Sequence, residues 1–310
     1  MTAFEPALAI VRALQAGSAM LLFGELLYGA WIARAGDVHA GAAWRPRSAR
    51  TLGAALLVVA ISALAWLVME SAVMSGRPWV DSWHGETLGT VLARTLFGHV
   101  WLVRGALLVA LAAVLGLARG RAGAPGPAAA LAAALLASLA WAGHANAQTG
   151  IDGAIHHVAD AMHLLAAGAW LGGLAAFAAT LRPGPGDGVP PHAIRAVQRY
   201  ASLAAACVAV IVASGVVNAY YTLGAPARLL DTTYGSLLLS KLALFAAALA
   251  VAAVNRWRLT PALLRGPASA SPARIAAQQL RRAAWIEQAI GLAIVLLAGA
   301  LGTAAPPMRM

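Results

Sequence analysis

Charge is scarce in this sequence. Of its 310 residues 11% are Asp, Glu, Lys or Arg, one is cysteine, and lysine occurs once, at Lys241. The single Cys207 excludes a disulfide framework and any Cys-x-x-Cys metal site, so a soft metal would have to be held by His and Met. There is no Walker A sequence, no nucleophile elbow and no paired general acid and base, so the chain is read as a non-enzyme. Basic residues are not interleaved with aromatics, and the net charge of +11 is therefore not that of a nucleic-acid binder. Ten-residue alternating segments are missing too, which argues against a membrane β-barrel.

What the sequence has in abundance is apolar length. Hydrophobic residues make up 61% of it, and the mean hydropathy of +0.75 lies far outside the range of soluble domains. Runs of about 20 apolar residues, each able to cross a hydrocarbon layer of roughly 30 Å, recur along the chain. They fall at residues 6–33, 52–74, 96–118, 127–145, 155–181, 200–223, 235–257 and 283–304. The expectation is an all-α, polytopic membrane helix bundle of about eight helices embedded in a lipid bilayer. It forms one integral membrane domain over 1–310, with three helices in 1–126 and five in 127–310. The first run is long, follows Glu5 rather than a basic leader, and is expected to stay rather than be cleaved as a signal peptide.

Basic residues orient this bundle. Fifteen of the 22 fall in the loops after the first, third, fifth and seventh runs, among them Arg45, Arg47, Arg119, Arg182, Arg256 and Arg281. The opposite loops and tail hold Arg77, Arg94, Arg228 and Arg309. By the positive-inside rule both termini are expected on the periplasmic side.

That orientation sends most histidines outward and gathers a candidate metal site. His156, Asp160 and His163 follow one another at spacings of four and three, which stacks them on one helical face. His144 precedes them in the same outward half. His157 is turned by about 100° and either coordinates from a neighbouring surface or is simply hydrated. Ionisable groups inside a membrane helix are costly unless paired, hydrated or bound. The second run delivers Met69, Glu70 and Met74 to the same half, and thioether sulfur tilts an imidazole site toward copper. Glu70, Lys241 and Glu287 are candidate relay or pairing groups. Glu70 and Lys241 are placed to pair with each other, and Glu287 to meet Arg256 or Arg282 or to act as a relay. Asn218 and Asn255 are candidates for hydrogen bonds between helices.

Around the fifth run the sequence resembles a known family. Gly143-His144-Ala145, followed by His163-Leu164-Leu165-Ala166-Ala167-Gly168-Ala169-Trp170-Leu171-Gly172-Gly173-Leu174, is similar to the signature of the copper resistance protein D (CopD/PcoD) family. Met74-Ser75-Gly76, Thr95-Leu96-Phe97-Gly98, Tyr234-Gly235 with Lys241, Asn255-Arg256 and Glu287 fit the same pattern. The resemblance implies a bacterial inner-membrane protein of copper homeostasis. It would pass copper across the membrane, with import favoured over export, and take it from a separate periplasmic copper-binding (CopC-like) donor. Two other readings stay open at this point. His144 and His163 could clamp a haem b in an electron carrier, and the chain could be a copper-sensing or docking scaffold without flux.

Overall fold

The computed structural model describes residues 5–33, 38–78, 81–83, 85–117, 125–143, 148–182, 189–265 and 271–307. Among them there is no strand, and eight helical stretches are long and apolar enough to cross a membrane. The first crossing is α1 (Glu5–Leu27), continued by a π-helical turn at Tyr28–Ile32, and the second is α2 (Val38–Ser75). A short amphipathic helix, α3 (Gly85–Arg94), precedes α4 (Leu96–Leu117), and α5 (Pro125–Ala137) tightens into a 3₁₀ turn at Ser138–Ala142. The fifth crossing is α6 (Gly150–Leu171) with α7 (Leu174–Thr180), and the sixth is α8 (Pro191–Leu223). A single turn, α9 (Arg228–Asp231), leads to the seventh, α10 (Thr233–Val254) with α11 (Thr260–Leu264), and α12 (Ser271–Leu301) is the eighth.

The outside of the bundle is more apolar than a soluble protein could tolerate. Leu57, Ile61 and Leu64, spaced four and three apart on α2, are each about 60% exposed, and Val109 on α4 is 70% exposed. Such side chains suit hydrocarbon rather than water. Aromatic residues mark both rims: exposed Trp31, Trp257 and Trp285 toward one end, and Trp83, Trp141 and Tyr220 toward the other, as at two membrane–water interfaces. The chain is a multi-pass membrane protein. The end where α1 begins and α12 finishes is called the near end below; the arginine-rich loops gather at the far end.

Two expectations on helix length need extending. α8 and α12 begin roughly three turns before the apolar runs do. Ala193, Ala196, Val197 and Tyr200 on α8, and Ala273, Ala276, Ala277 and Leu280 on α12, are buried at helical spacing. The interspersed arginines lower the local hydropathy without interrupting this stripe. α3 had no counterpart among the apolar runs because only one of its faces is apolar.

α1 is the central helix, packing on α2, α5, α6 and α12. Its crossing with α6 is very close. A Cβ built on Gly24 would collide with the backbone of Gly168, Gly172 and Gly173, and one on Gly172 with the Met20 carbonyl. Small residues four apart let two helix backbones meet in this way. That explains why Trp170-Leu171 is followed by Gly172-Gly173, where α6 gives way to α7. α8 packs on α6 and α7, whereas α10 rests mainly on α12 and shares no substantial packing with α6 or α8 among the described residues.

Candidate metal centre

The near-end half of α6 carries the three residues of the predicted face, and each is held by a different neighbour. His156 is buried, stacks on Tyr221 at 5.0 Å between ring centres, and places Nδ1 2.7 Å from Gln148 Oε1. His163 places Nδ1 3.1 Å from Ser214 Oγ on α8. The Ser214 hydroxyl itself donates to the Val210 carbonyl at 2.6 Å. Its oxygen is thus the acceptor for a protonated His163 Nδ1. That contact fixes the tautomer with the lone pair on Nε2, the arrangement that metal-ligating imidazoles use. His157, as its rotation predicted, is turned elsewhere: Nδ1 meets the Gly153 carbonyl at 2.7 Å and the ring lies 5.2 Å from Trp141.

Asp160 is the electrostatic hub. Its Oδ1 accepts a long hydrogen bond, 3.4 Å, from Asn218 Nδ2, and a Cβ built on Gly143 would stand 3.7 Å from Oδ2. Lys241, His157 and Arg12 act on this carboxylate through space. Arg12, on α1, also lies in the field of Glu70, reaches the Ala142 carbonyl at 3.4 Å, and sits 4.6 Å above the Trp66 ring. Trp66 donates its indole N–H to Glu70 at 3.1 Å. Glu70 thus accepts from Trp66 and lies in the field of Arg12, while Lys241 lies in that of Asp160. Asn218 Oδ1 is buried with no hydrogen-bond partner, an acceptor turned into the interior beside Asp160.

The remaining candidates divide. Met69 is half-buried on α2, and Met74 is 49% exposed at the end of the same helix. His144 lies outside the described residues, but its neighbour Gly143 faces Asp160 and the nearby Gln148 holds His156. Among the described residues no three of His, Cys, Asp and Glu converge closely enough to hold a metal ion. What α6 and α8 bring together is one oriented imidazole, one carboxylate and one orphaned amide oxygen, a donor set suited to a cation. Arg12, Gln148, Ser214 and Tyr221 are contributors that the sequence reading passed over. Arg12 carried the same signal as Lys241, a lone charge inside an apolar run, and the other three are ordinary polar residues whose role depends on what lies opposite.

A second polar group lies toward the far end. Glu287 on α12 is buried and accepts hydrogen bonds from Asn255 and from the Trp170 side chain. The Tyr200 hydroxyl donates to the Trp170 carbonyl, Tyr200 stacks on Phe177 at 4.5 Å, and Tyr28 and Thr180 share a hydrogen bond of 2.7 Å. Arg256 turns away to the Ala201 carbonyl, so Glu287 is met by neutral donors rather than by that arginine. Trp170 follows His163 by seven residues, on nearly the same face of α6 and about 10 Å further along the axis.

Comparison with known proteins agrees with this architecture. Residues 1–154 match the family described as "Copper resistance protein D-like, N-terminal domain", and residues 194–301 match the one described as "Copper resistance protein D". The chain is 33% identical over 297 residues to "Copper resistance protein D" of Pseudomonas syringae pv. tomato, covering 94% of each. It is 32% identical over 290 residues to "Inner membrane protein YebZ" of Escherichia coli (strain K12), covering 93% of this chain and 94% of that one. "Copper transport protein CutJ" of Bacillus subtilis (strain 168) is 26% identical over 214 residues, which is 67% of this chain and 39% of that longer protein. No solved structure matches the chain significantly.

Proposed function

This chain belongs to the copper resistance protein D family, as a multi-pass inner-membrane protein with a role in copper handling, and from that premise we propose that it carries copper ions across the membrane. Copper is the cargo. It enters from the periplasm at the near end, delivered by a separate copper-binding protein of the CopC type, and import is the favoured direction. The observation that carries this reading is the α6 face: His163 oriented by Ser214, with Asp160 facing Gly143 and the orphaned Asn218 oxygen beside it.

In this mechanism His163 Nε2 supplies the first nitrogen ligand and Asp160 a charged oxygen. His156 and His144 complete the capture site, with His157 at its edge. Met69 and Met74 supply thioether contacts along α2. Membrane burial makes the ionisable groups among these cheaper when a cation is bound than when they stand alone. The ion then follows α6 toward Trp170, where Glu287 and Asn255 form the next polar station. The name of the Bacillus relative, a copper transport protein, supports passage rather than static binding.

Uptake of copper into membrane vesicles of known orientation tests the proposal. Wild-type protein should load vesicles from the near-end face, and His163→Ala should abolish loading while the amount of folded protein stays unchanged. Loading that survives His163→Ala would remove this residue from the path, and binding without flux would assign a scaffold. A Soret band with stoichiometric haem would turn the assignment to an electron carrier.

A further inference from the structure

The polar face of α6 is matched rung by rung on α8. His156 stacks on Tyr221 with ring centres 5.0 Å apart, Asp160 accepts from Asn218 at 3.4 Å, and His163 meets Ser214 at 3.1 Å. Spacings of four and three along α6 meet spacings of three and four along α8, as two antiparallel helices require. The end rungs are fastened further. Tyr221 donates its hydroxyl to Asp152 at 3.0 Å, and His156 Nδ1 lies 2.7 Å from Gln148 Oε1. Beside Ser214, a Cβ built on Gly215 would stand 3.5 Å from His163 Cε1, so that ring lies close against α8.

Helical geometry limits which of these groups act on one ion. His156 and His163 are seven residues apart, about 10 Å along the axis, and each ring is held on its own rung. Two nitrogens that share a first-row metal ion lie at most about 4 Å apart, since each stands about 2 Å from it. The two imidazoles therefore do not converge. Asp160 stands between them, four residues from one and three from the other, at spacings that make helical side chains neighbours. Among the described residues no three His, Cys, Asp or Glu side chains come together, and ligands set in file give the reason.

Resting on the reading of the α6 face as the cargo site, we propose that this site is two overlapping positions filled in turn, an outer one of His156 with Asp160 and an inner one of Asp160 with His163. The shared carboxylate admits one copper ion at a time. It keeps hold of the ion while one imidazole is exchanged for the other, so the ion keeps a charged oxygen throughout the step. Tyr221 and Gln148 are positioning residues of the outer position, and Ser214 of the inner one. Asn218 serves the step between them, with its amide N–H on Asp160 and its buried oxygen without a hydrogen-bond partner. Binding then needs either imidazole, and passage needs both.

Binding and flux, measured on the same variants, separate this arrangement from a single convergent site. Full-length protein in detergent is titrated with Cu(I) against a chromogenic chelator, and copper flux is followed after reconstitution in vesicles of known orientation. The wild type should bind one copper ion. His156→Ala and His163→Ala should each still bind one, though more weakly, while flux falls to background in both. The double variant should bind none. Thermal midpoints check folding, and His156→Gln and His163→Gln, which keep bulk and a polar amide, replace an alanine variant that does not fold. Loss of all binding in either folded single variant shows one convergent site and overturns the two positions. Two copper ions on the wild type, binding that survives in the double variant, or flux that survives in His156→Ala overturns them as well. Those outcomes leave α6 standing as the cargo site. Failure of the wild type to bind Cu(I) overturns that reading and this inference with it.

Discussion

Ser214→Ala isolates the orientation of His163 from its presence. The serine is 6% exposed, accepts from His163 Nδ1 at 3.1 Å and donates to the carbonyl one turn back at 2.6 Å. Its own bond lies within α8, where alanine is at least as good a helix former, so loss of that bond by itself should change stability by less than about 1 kcal/mol. The imidazole loses more. A buried N–H left without its acceptor costs about 1–3 kcal/mol, and the ring is freed to take the tautomer that puts the proton on Nε2. Loss of such an outer partner weakens metal affinity by roughly 10- to 100-fold. Competition of the purified protein with a chromogenic Cu(I) chelator reads this directly, with the thermal midpoint in the same detergent as a check on folding. Ser214→Thr, which restores a hydroxyl, should recover most of the affinity. If Ser214→Ala binds Cu(I) like the wild type while His163→Ala does not, the serine is a packing residue and the tautomer argument fails.

Three further outcomes follow from the packing and the far-end cluster. Gly172→Ala should separate α1 from α6 and lower stability by about 1–3 kcal/mol, because the new Cβ meets the Met20 backbone. Gly53→Ala, with nothing within 4 Å of the added atom, should be neutral or stabilising by up to about 1 kcal/mol; thermal unfolding in detergent compares the two. Glu287→Gln should leave Cu(I) binding at the near end within about twofold, since Asn255 and Trp170 belong to a separate cluster. If Glu287 is a station on the path, copper flux into vesicles should fall at least tenfold in that variant, and unchanged flux would reduce it to an interhelical hydrogen-bond acceptor. Met74→Leu, at a half-exposed position, should alter uptake less than Met69→Leu does.

Much of this molecule was legible in its residues. Apolar runs near bilayer length announce a spanning helix whatever surrounds them, and all eight crossings contain or closely overlap a predicted run. The common face of His156, Asp160 and His163 follows from helical geometry alone. What escaped were features set by the partner helix. Ser214 sits in an apolar stretch and looks like any small residue until His163 is found opposite it. Glu70 and Lys241 share a depth, which suggested a pair, but depth does not fix direction around the helix axis, and the contact Glu70 makes is with the Trp66 indole one turn back on its own helix. The early starts of α8 and α12 were hidden because arginines on the outer side of a helix depress hydropathy without interrupting the buried stripe.

The interlocked glycines of α1 and α6 also have a mechanical meaning. Arg12 and Asp160 ride on two backbones pressed together at Gly24 and Gly172, so they keep a fixed span. Lys241 rides on α10, which leans on α12 and, among the described residues, lacks substantial packing on α6. The frame thus carries Asp160 and Arg12, and a boom carries Lys241. The gap between them is the dimension of the site that the fold constrains least.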